Sequence, residues 1–158
     1  MTAQVSEKLI YKGESLSLCS NPLSPFLEQS NFQFRISSTA CWRGYIGSWE
    51  IENGRLYLKS ILGNLKNGQP INIETLFPGY SNGVFAHWYS GELRCPRGKL
   101  INYIHGGYAS QYEEDMFILI ERGCVISERV IKNGLSKKDI SDGYSVLAQT
   151  YFSKREDK

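Results

Sequence analysis

Two alternating segments, 45–51 and 56–61, flank Glu52-Asn53-Gly54-Arg55. Asn-Gly tolerates positive φ at both central positions of a type I′ turn, whose twist matches that of the strands it joins, so the chain is expected to reverse here as a β-hairpin. The same grammar recurs along the chain. Residues 9–11 and 16–18 flank Lys12-Gly13-Glu14, and the apolar-rich stretch 116–131 is broken at Glu121-Arg122-Gly123. A further hairpin is expected from 93–104, broken at Cys95-Pro96-Arg97-Gly98, because Pro96 has no N–H and suits a turn or a strand edge. Phe32-Gln33-Phe34-Arg35-Ile36 alternates strictly and reads as a strand, as do 84–89 and 101–105. Residues 20–31 and 63–70 read as loops, and 71–77 is too short for its period to separate strand from helix.

The period changes near the C-terminus. Ile140, Tyr144, Leu147, Ala148 and Tyr151 recur at intervals of three and four, which places them on one face of a helix within 136–154. Aromatic residues form 13% of the chain, an enrichment that suits half-buried pleated surfaces and ligand-contacting ones alike. The expectation is one domain over 1–158, mainly β, an antiparallel meander forming a barrel or a sandwich with one C-terminal amphipathic helix.

A net charge of +2 is too small for phosphate-backbone binding through the overall field, so no nucleic acid is expected as a partner. No apolar run is long enough to span a bilayer and the first residues lack the zones of a signal peptide, so the protein is expected to be cytoplasmic, with no membrane partner. In that reducing compartment Cys19, Cys41, Cys95 and Cys124, which form no C-x-x-C pair, read as free and mostly buried thiols. No metal and no cofactor is expected: only His87 and His105 could supplement the cysteines, and no Walker loop, Rossmann fingerprint, nucleophile elbow or H-E-x-x-H pair is present.

Candidate binding residues concentrate in two places. His87, Trp88, Tyr103, His105, Tyr108 and Tyr112 lie in the aromatic-rich stretch 84–115, where Gly106-Gly107 lets the backbone bend just after His105. Trp42 and Arg43 belong to a second cluster with Tyr45 and Trp49. Trp, Tyr and Arg are the types enriched at the energetic centres of interfaces. The reading is therefore a noncatalytic binding module that engages a protein partner through an aromatic and Arg-rich surface. The alternatives are a small-molecule-binding β-barrel, or a small hydrolase or transferase that uses His105 with one of Glu113, Glu114 or Asp115.

Tyr45-Ile46-Gly47-Ser48-Trp49 resembles the Y-x-G-x-W opening of the lipocalins, which implies a closed barrel and ligand carriage. A wider pattern comprises 41–51 (CWRGYIGSWEI), 85–94 (FAHWYSGELR) and 103–108 (YIHGGY) with Tyr112-Glu113. It resembles a set of bacterial proteins to which no function is attached, which implies a shared fold and a bacterial or phage origin, but no activity or catalytic residue.

Overall fold

A computed structural model describes residues 3–134 of the chain. The helix expected within 136–154 lies outside the described residues. β1 (Glu7–Tyr11) and β2 (Glu14–Leu18) form the first hairpin, and β3 (Tyr45–Glu52) and β4 (Arg55–Gly63) the second. β5 (Val84–Phe85) is a two-residue strand, and β6 (Gly91–Asn102), β7 (Gln111–Glu121) and β8 (Cys124–Lys132) complete the sheet. The helices are short: α1 (Ser24–Glu28) follows β2, and α2 (Ile73–Leu76) follows β4. α2 starts at a capping box in which Asn72 Oδ1 accepts from Thr75 N and Thr75 Oγ1 accepts from Asn72 N.

The expected hairpin turns form where Gly follows a polar residue. Lys12, Asn53 and Arg122 have φ of 52°, 52° and 49°, and the glycines after them are also positive, the signature of type I′. At 123 the requirement is steric as well, because a Cβ would lie 2.7 Å from Ala86 O. Arg122 is a poor residue for the left-handed region, whereas Asn tolerates it. Arg122→Asn is therefore expected to stabilise the fold by about 0.5–1 kcal/mol in a denaturant titration.

The sheet has eight strands in the order β2-β1-β3-β4-β8-β7-β6, with β5 paired to β4 off that path. It departs from a meander because β1 and β3 run parallel, with Leu9 opposite Trp49. The chain leaves the far side of the first hairpin after β2 and returns through residues 19–44 to the near side of β1, so β3 must enter in the same direction as β1.

Inner faces alternate as a half-buried sheet demands. Leu9, Leu18, Trp49, Leu56, Leu58, Leu93, Cys95, Ile118 and Ile120 are essentially inaccessible, and they join a single core cluster. A register shift at Ser48/Trp49 leaves Lys59 unpaired, which is why Leu58 and Ile61, three apart, both face inward.

The two ends of the sheet approach each other but do not zip, so the barrel alternative is corrected. Cys19 N donates to Arg94 O at 2.8 Å, and Arg94 N donates to Ser20 Oγ at 3.0 Å. Arg94 thus turns both backbone groups toward residues 19–20, just past the end of β2, and residue 96, two further along, faces the same way. Residue 96 is proline, which has no N–H to offer across that gap. The sheet is weak at a second point, since β4 and β8 pair only at Arg55 and Cys124.

Several expected strands are shorter than their patterns. Residues 32–36 form only an isolated bridge, Phe34 to Leu65, and 84–89 is strand only at β5 before the backbone turns. The turn expected at 95–98 is absent. Pro96 and Arg97 pair with Asp115 and Glu114, and β6 runs through them with a bulge before Leu100. That strand ends at Asn102, so 103–105 is not strand and the shared face expected for Ile101, Tyr103 and His105 does not form.

The tip of the first hairpin is tied to β8 through Glu128, which accepts from Tyr11 Oη at 2.6 Å and from Lys12 Nζ at 3.0 Å. Those two donors hold its carboxyl below the usual carboxylate range. A carboxyl lowered by folding contributes stability that is present above its unfolded pKa and is lost as pH falls through the folded value. Glu128→Gln is expected to remove about 0.5–1 kcal/mol near neutral pH and to flatten the acid limb of the stability profile. The effect is small because the Glu128 side chain is 35% exposed and the Lys12 side chain 69%.

Candidate binding face

Beside Pro96, a cleft of about 280 Å³ opens between Ser17 and Cys19 on one side and Pro96 and Gly98 on the other. Tyr103, Tyr108 and Tyr112 also line it, together with Ala3 and Gln4 of the N-terminal segment. Three of the candidate residues therefore share one concave surface. His105 stands beside it, exposed, with its Nδ1 3.2 Å from Tyr103 Oη. The N-terminal segment links this cleft to Trp42. Gln4 N donates to Gly107 O at 2.9 Å, Gln4 Nε2 to Thr39 O at 2.8 Å, and Trp42 N to Gln4 Oε1 at 2.7 Å. Val5 N donates to Ala40 O at 2.7 Å, so residues 39–42 and 103–108 are stitched to the same short stretch of chain.

Arg94 positions the tyrosine-bearing loop. Its Nε donates to Asp115 Oδ1 at 2.8 Å and its Nη2 to Ser110 O at 2.9 Å, while Nη1 donates to Tyr108 O. Asp115 accepts through its other oxygen from Asn133 Nδ2 at 2.9 Å. Ser110 Oγ accepts from Ile104 N at 2.9 Å, closing the base of the loop. Tyr108 is turned inward, donating to Asn21 Oδ1 at 2.7 Å, and burial pushes its phenol up. Tyr103 is the outward ring, 55% exposed.

These contacts bear on the hydrolase alternative, which needs a carboxylate at His105. Asp115 is taken up by Arg94 and Asn133, Glu113 accepts from Lys99 N at 2.8 Å, and Glu114 faces Arg97 at 3.9 Å. The polar group beside the imidazole is a phenol.

Arg43 belongs to a different structure from its neighbour Trp42. Trp42 is 52% exposed, whereas the Arg43 side chain is 10% exposed and its Nε donates to Glu7 Oε2 at 3.0 Å. Glu7 is wholly buried and accepts two further bonds, from Gly47 N at 2.9 Å and Trp49 Nε1 at 2.8 Å. Burial pushes its carboxyl up, opposed by those same donors and by the Arg43 charge. A Cβ at residue 47 would sit 2.8 Å from Trp49 Nε1, so only glycine lets the backbone reach the carboxylate. The Y-x-G-x-W run is here a structural device: its Tyr and Trp are core residues and its Gly and Trp anchor a buried acid.

His87 and Trp88 are not brought to the cleft by any contact. Trp88 Nε1 donates to Pro22 O at 2.8 Å, and its ring stacks on Phe77 at 5.3 Å beside Phe26 at 5.5 Å. His87 is exposed and lies edge-on to Trp88 at 5.5 Å. This cluster packs the loops over the core rather than offering a polar site.

The cysteines are free; Cys95 is buried and the other three are partly so. Burial pushes the Cys95 thiol up to about 12 and raises Cys19, the opposite of an activated thiolate. Among the described residues no cluster of His, Cys, Asp and Glu could hold a metal ion, and no helix is long and apolar enough to cross a membrane. Compared with known proteins, the chain matches no family model, no curated protein and no solved structure.

Proposed function

We propose that this chain is a noncatalytic binding module of the cytoplasm, and that the face around the N-terminal segment engages a protein partner. The observation that supports this most directly is the cleft that gathers Tyr103, Tyr108 and Tyr112 with Ala3 and Gln4, with His105 against Tyr103, the Trp42 backbone bonded to Gln4, and Trp42 and Tyr103 each more than half exposed. Large aromatic rings held out by a hydrogen-bonded backbone offer apolar area with little rotamer entropy to lose, which is what an interface centre needs. The cleft beside them, lined by tyrosines and by Ser6, Ser17 and Ser110, has room for an inserted side chain from a partner.

The test compares affinity capture by wild type, Trp42→Ala, Tyr103→Ala and Ile36→Ala, the last being an exposed apolar residue on none of these contacts. A partner held by wild type and Ile36→Ala but lost from both aromatic variants supports the reading. Identical captures from all four would sink it. His105→Ala serves as the stability control: the ring is exposed, so its loss is expected to cost less than about 1 kcal/mol on denaturation.

A further inference from the structure

The lining of the cleft beside Pro96 limits what a partner can insert there. Among the described residues that line it, none is an acid, a lysine, an arginine or a histidine. The charged groups at its edge are already engaged. Glu113, whose carboxylate lies against Gly98, accepts from Lys99 N at 2.8 Å, and Arg97 faces Glu114 at 3.9 Å. A charged guest would therefore leave water without a free countercharge to meet it.

An apolar guest fails for the opposite reason. Ser6, Ser17 and Tyr112 line the cleft with hydroxyls that no described residue binds. A hydrocarbon seated over them would take away their water and return no hydrogen bond. The other polar side chains of the lining are occupied: Tyr108 Oη donates to Asn21, Tyr103 Oη meets His105, Ser110 Oγ bonds both backbone groups of Ile104, and the Gln4 amide holds Thr39 and Trp42. The hydroxyls left for a guest each donate and accept, and the tyrosine rings around them favour an aromatic body, because aromatic pairs attract beyond the area they bury. At about 280 Å³ the cleft lies just under the roughly 300 Å³ at which pockets begin to hold drug-sized ligands, a size that suits one large side chain.

We propose that the partner anchors itself in this cleft with a tyrosine, its ring among Tyr103, Tyr108 and Tyr112 and its hydroxyl exchanging hydrogen bonds with Ser6, Ser17 and Tyr112. A phenol meets both demands, since an indole only donates and the side-chain amides of Asn and Gln carry no ring. This names the anchor of the protein partner and rests on the reading of this face as an interface.

Ligand-observed NMR titration of the full chain tests it with N-acetyl-tyrosinamide, N-acetyl-phenylalaninamide, N-acetyl-O-phosphotyrosinamide and N-acetyl-argininamide. The tyrosine probe is expected to bind in the millimolar range and at least about fivefold more tightly than the other three, the ordinary worth of one net hydrogen bond. Neither Ser6 nor Ser17 is buried, so Ser6→Ala with Ser17→Ala should leave the melting temperature unchanged while bringing the tyrosine probe down to the level of the phenylalanine probe. Equal binding of the tyrosine and phenylalanine probes, preference for a charged probe, no saturable binding of any probe, or a tyrosine preference that survives in the folded double variant would each overturn the proposal. Partner capture that depends on Trp42 and Tyr103 but is not reduced by a saturating tyrosine probe would sink the tyrosine anchor and leave the interface standing, whereas capture unaffected by either aromatic substitution would remove the interface itself.

Discussion

Glu7→Ala is expected to destabilise the protein by about 3–5 kcal/mol, the largest loss for any single truncation of a polar side chain here, measured by denaturant unfolding at neutral pH. The carboxylate is fully buried and holds Arg43, the Gly47 amide and the Trp49 indole at 2.8–3.0 Å. Removing it strands a guanidinium inside the protein together with two N–H donors that water does not reach, and each stranded donor costs about 1–3 kcal/mol. Glu7→Gln should cost less, because an amide keeps one acceptor for Trp49 or Gly47. The double replacement Glu7→Leu with Arg43→Met should recover much of the loss, since a buried ion pair contributes little net stability over apolar residues of similar size. The pH signature is opposite to that of Glu128. A carboxyl raised by burial binds its proton more tightly in the folded state, so its contribution is largest at low pH and declines as pH rises through the folded pKa. Stability should therefore fall with rising pH just above the ordinary carboxylate range, and Glu7→Gln should abolish that fall.

Glu7 was legible in principle. It shares strand parity with Leu9 and Tyr11, so alternation alone assigns it to the inner face, and an acid there must find donors. Its partners were not legible, because Arg43 and Trp49 reach it only through the parallel pairing of β1 with β3, which no local pattern announces. The hairpins are the converse case. Lys12-Gly13, Asn53-Gly54 and Arg122-Gly123 all form the expected turns because the positive φ is a local demand that glycine meets locally. Pro96-Arg97-Gly98 misleads for a physical reason: a proline with its missing N–H on an edge can remain in the strand, and here β6 runs through it, paired to β7, instead of turning. Of the candidate residues, Tyr103 and Tyr108 of the loop between β6 and β7 share a cleft with Tyr112 at the start of β7. Arg43, Trp88 and His87 lie elsewhere, since aromatic or basic character alone does not separate packing from display.

Arg94→Met is expected to cost about 2–4 kcal/mol and to loosen one region selectively. The guanidinium joins β6 to Asp115 of β7 and to the carbonyls of Tyr108 and Ser110, so this side chain binds both the sheet and the loop between β6 and β7. Methionine retains much of the apolar stem but leaves Asp115, 13% exposed, with only the Asn133 amide among these contacts. The bridge between Ile104 and Ser110 Oγ would then hold the base of the loop without its outer anchor. Amide hydrogen exchange should accelerate in residues 104–110 while the amides of β1 and β3 keep their protection, because the core cluster contains none of the atoms lost. Arg94→Lys should recover little, since a single ammonium cannot reproduce the planar fork that serves three acceptors in different directions. If the proposed interface is correct, Arg94→Met should also weaken partner capture as strongly as Tyr103→Ala, although Arg94 is largely enclosed and contributes through the loop it holds. Unchanged exchange in the loop would show that the tyrosine face is held by its backbone alone.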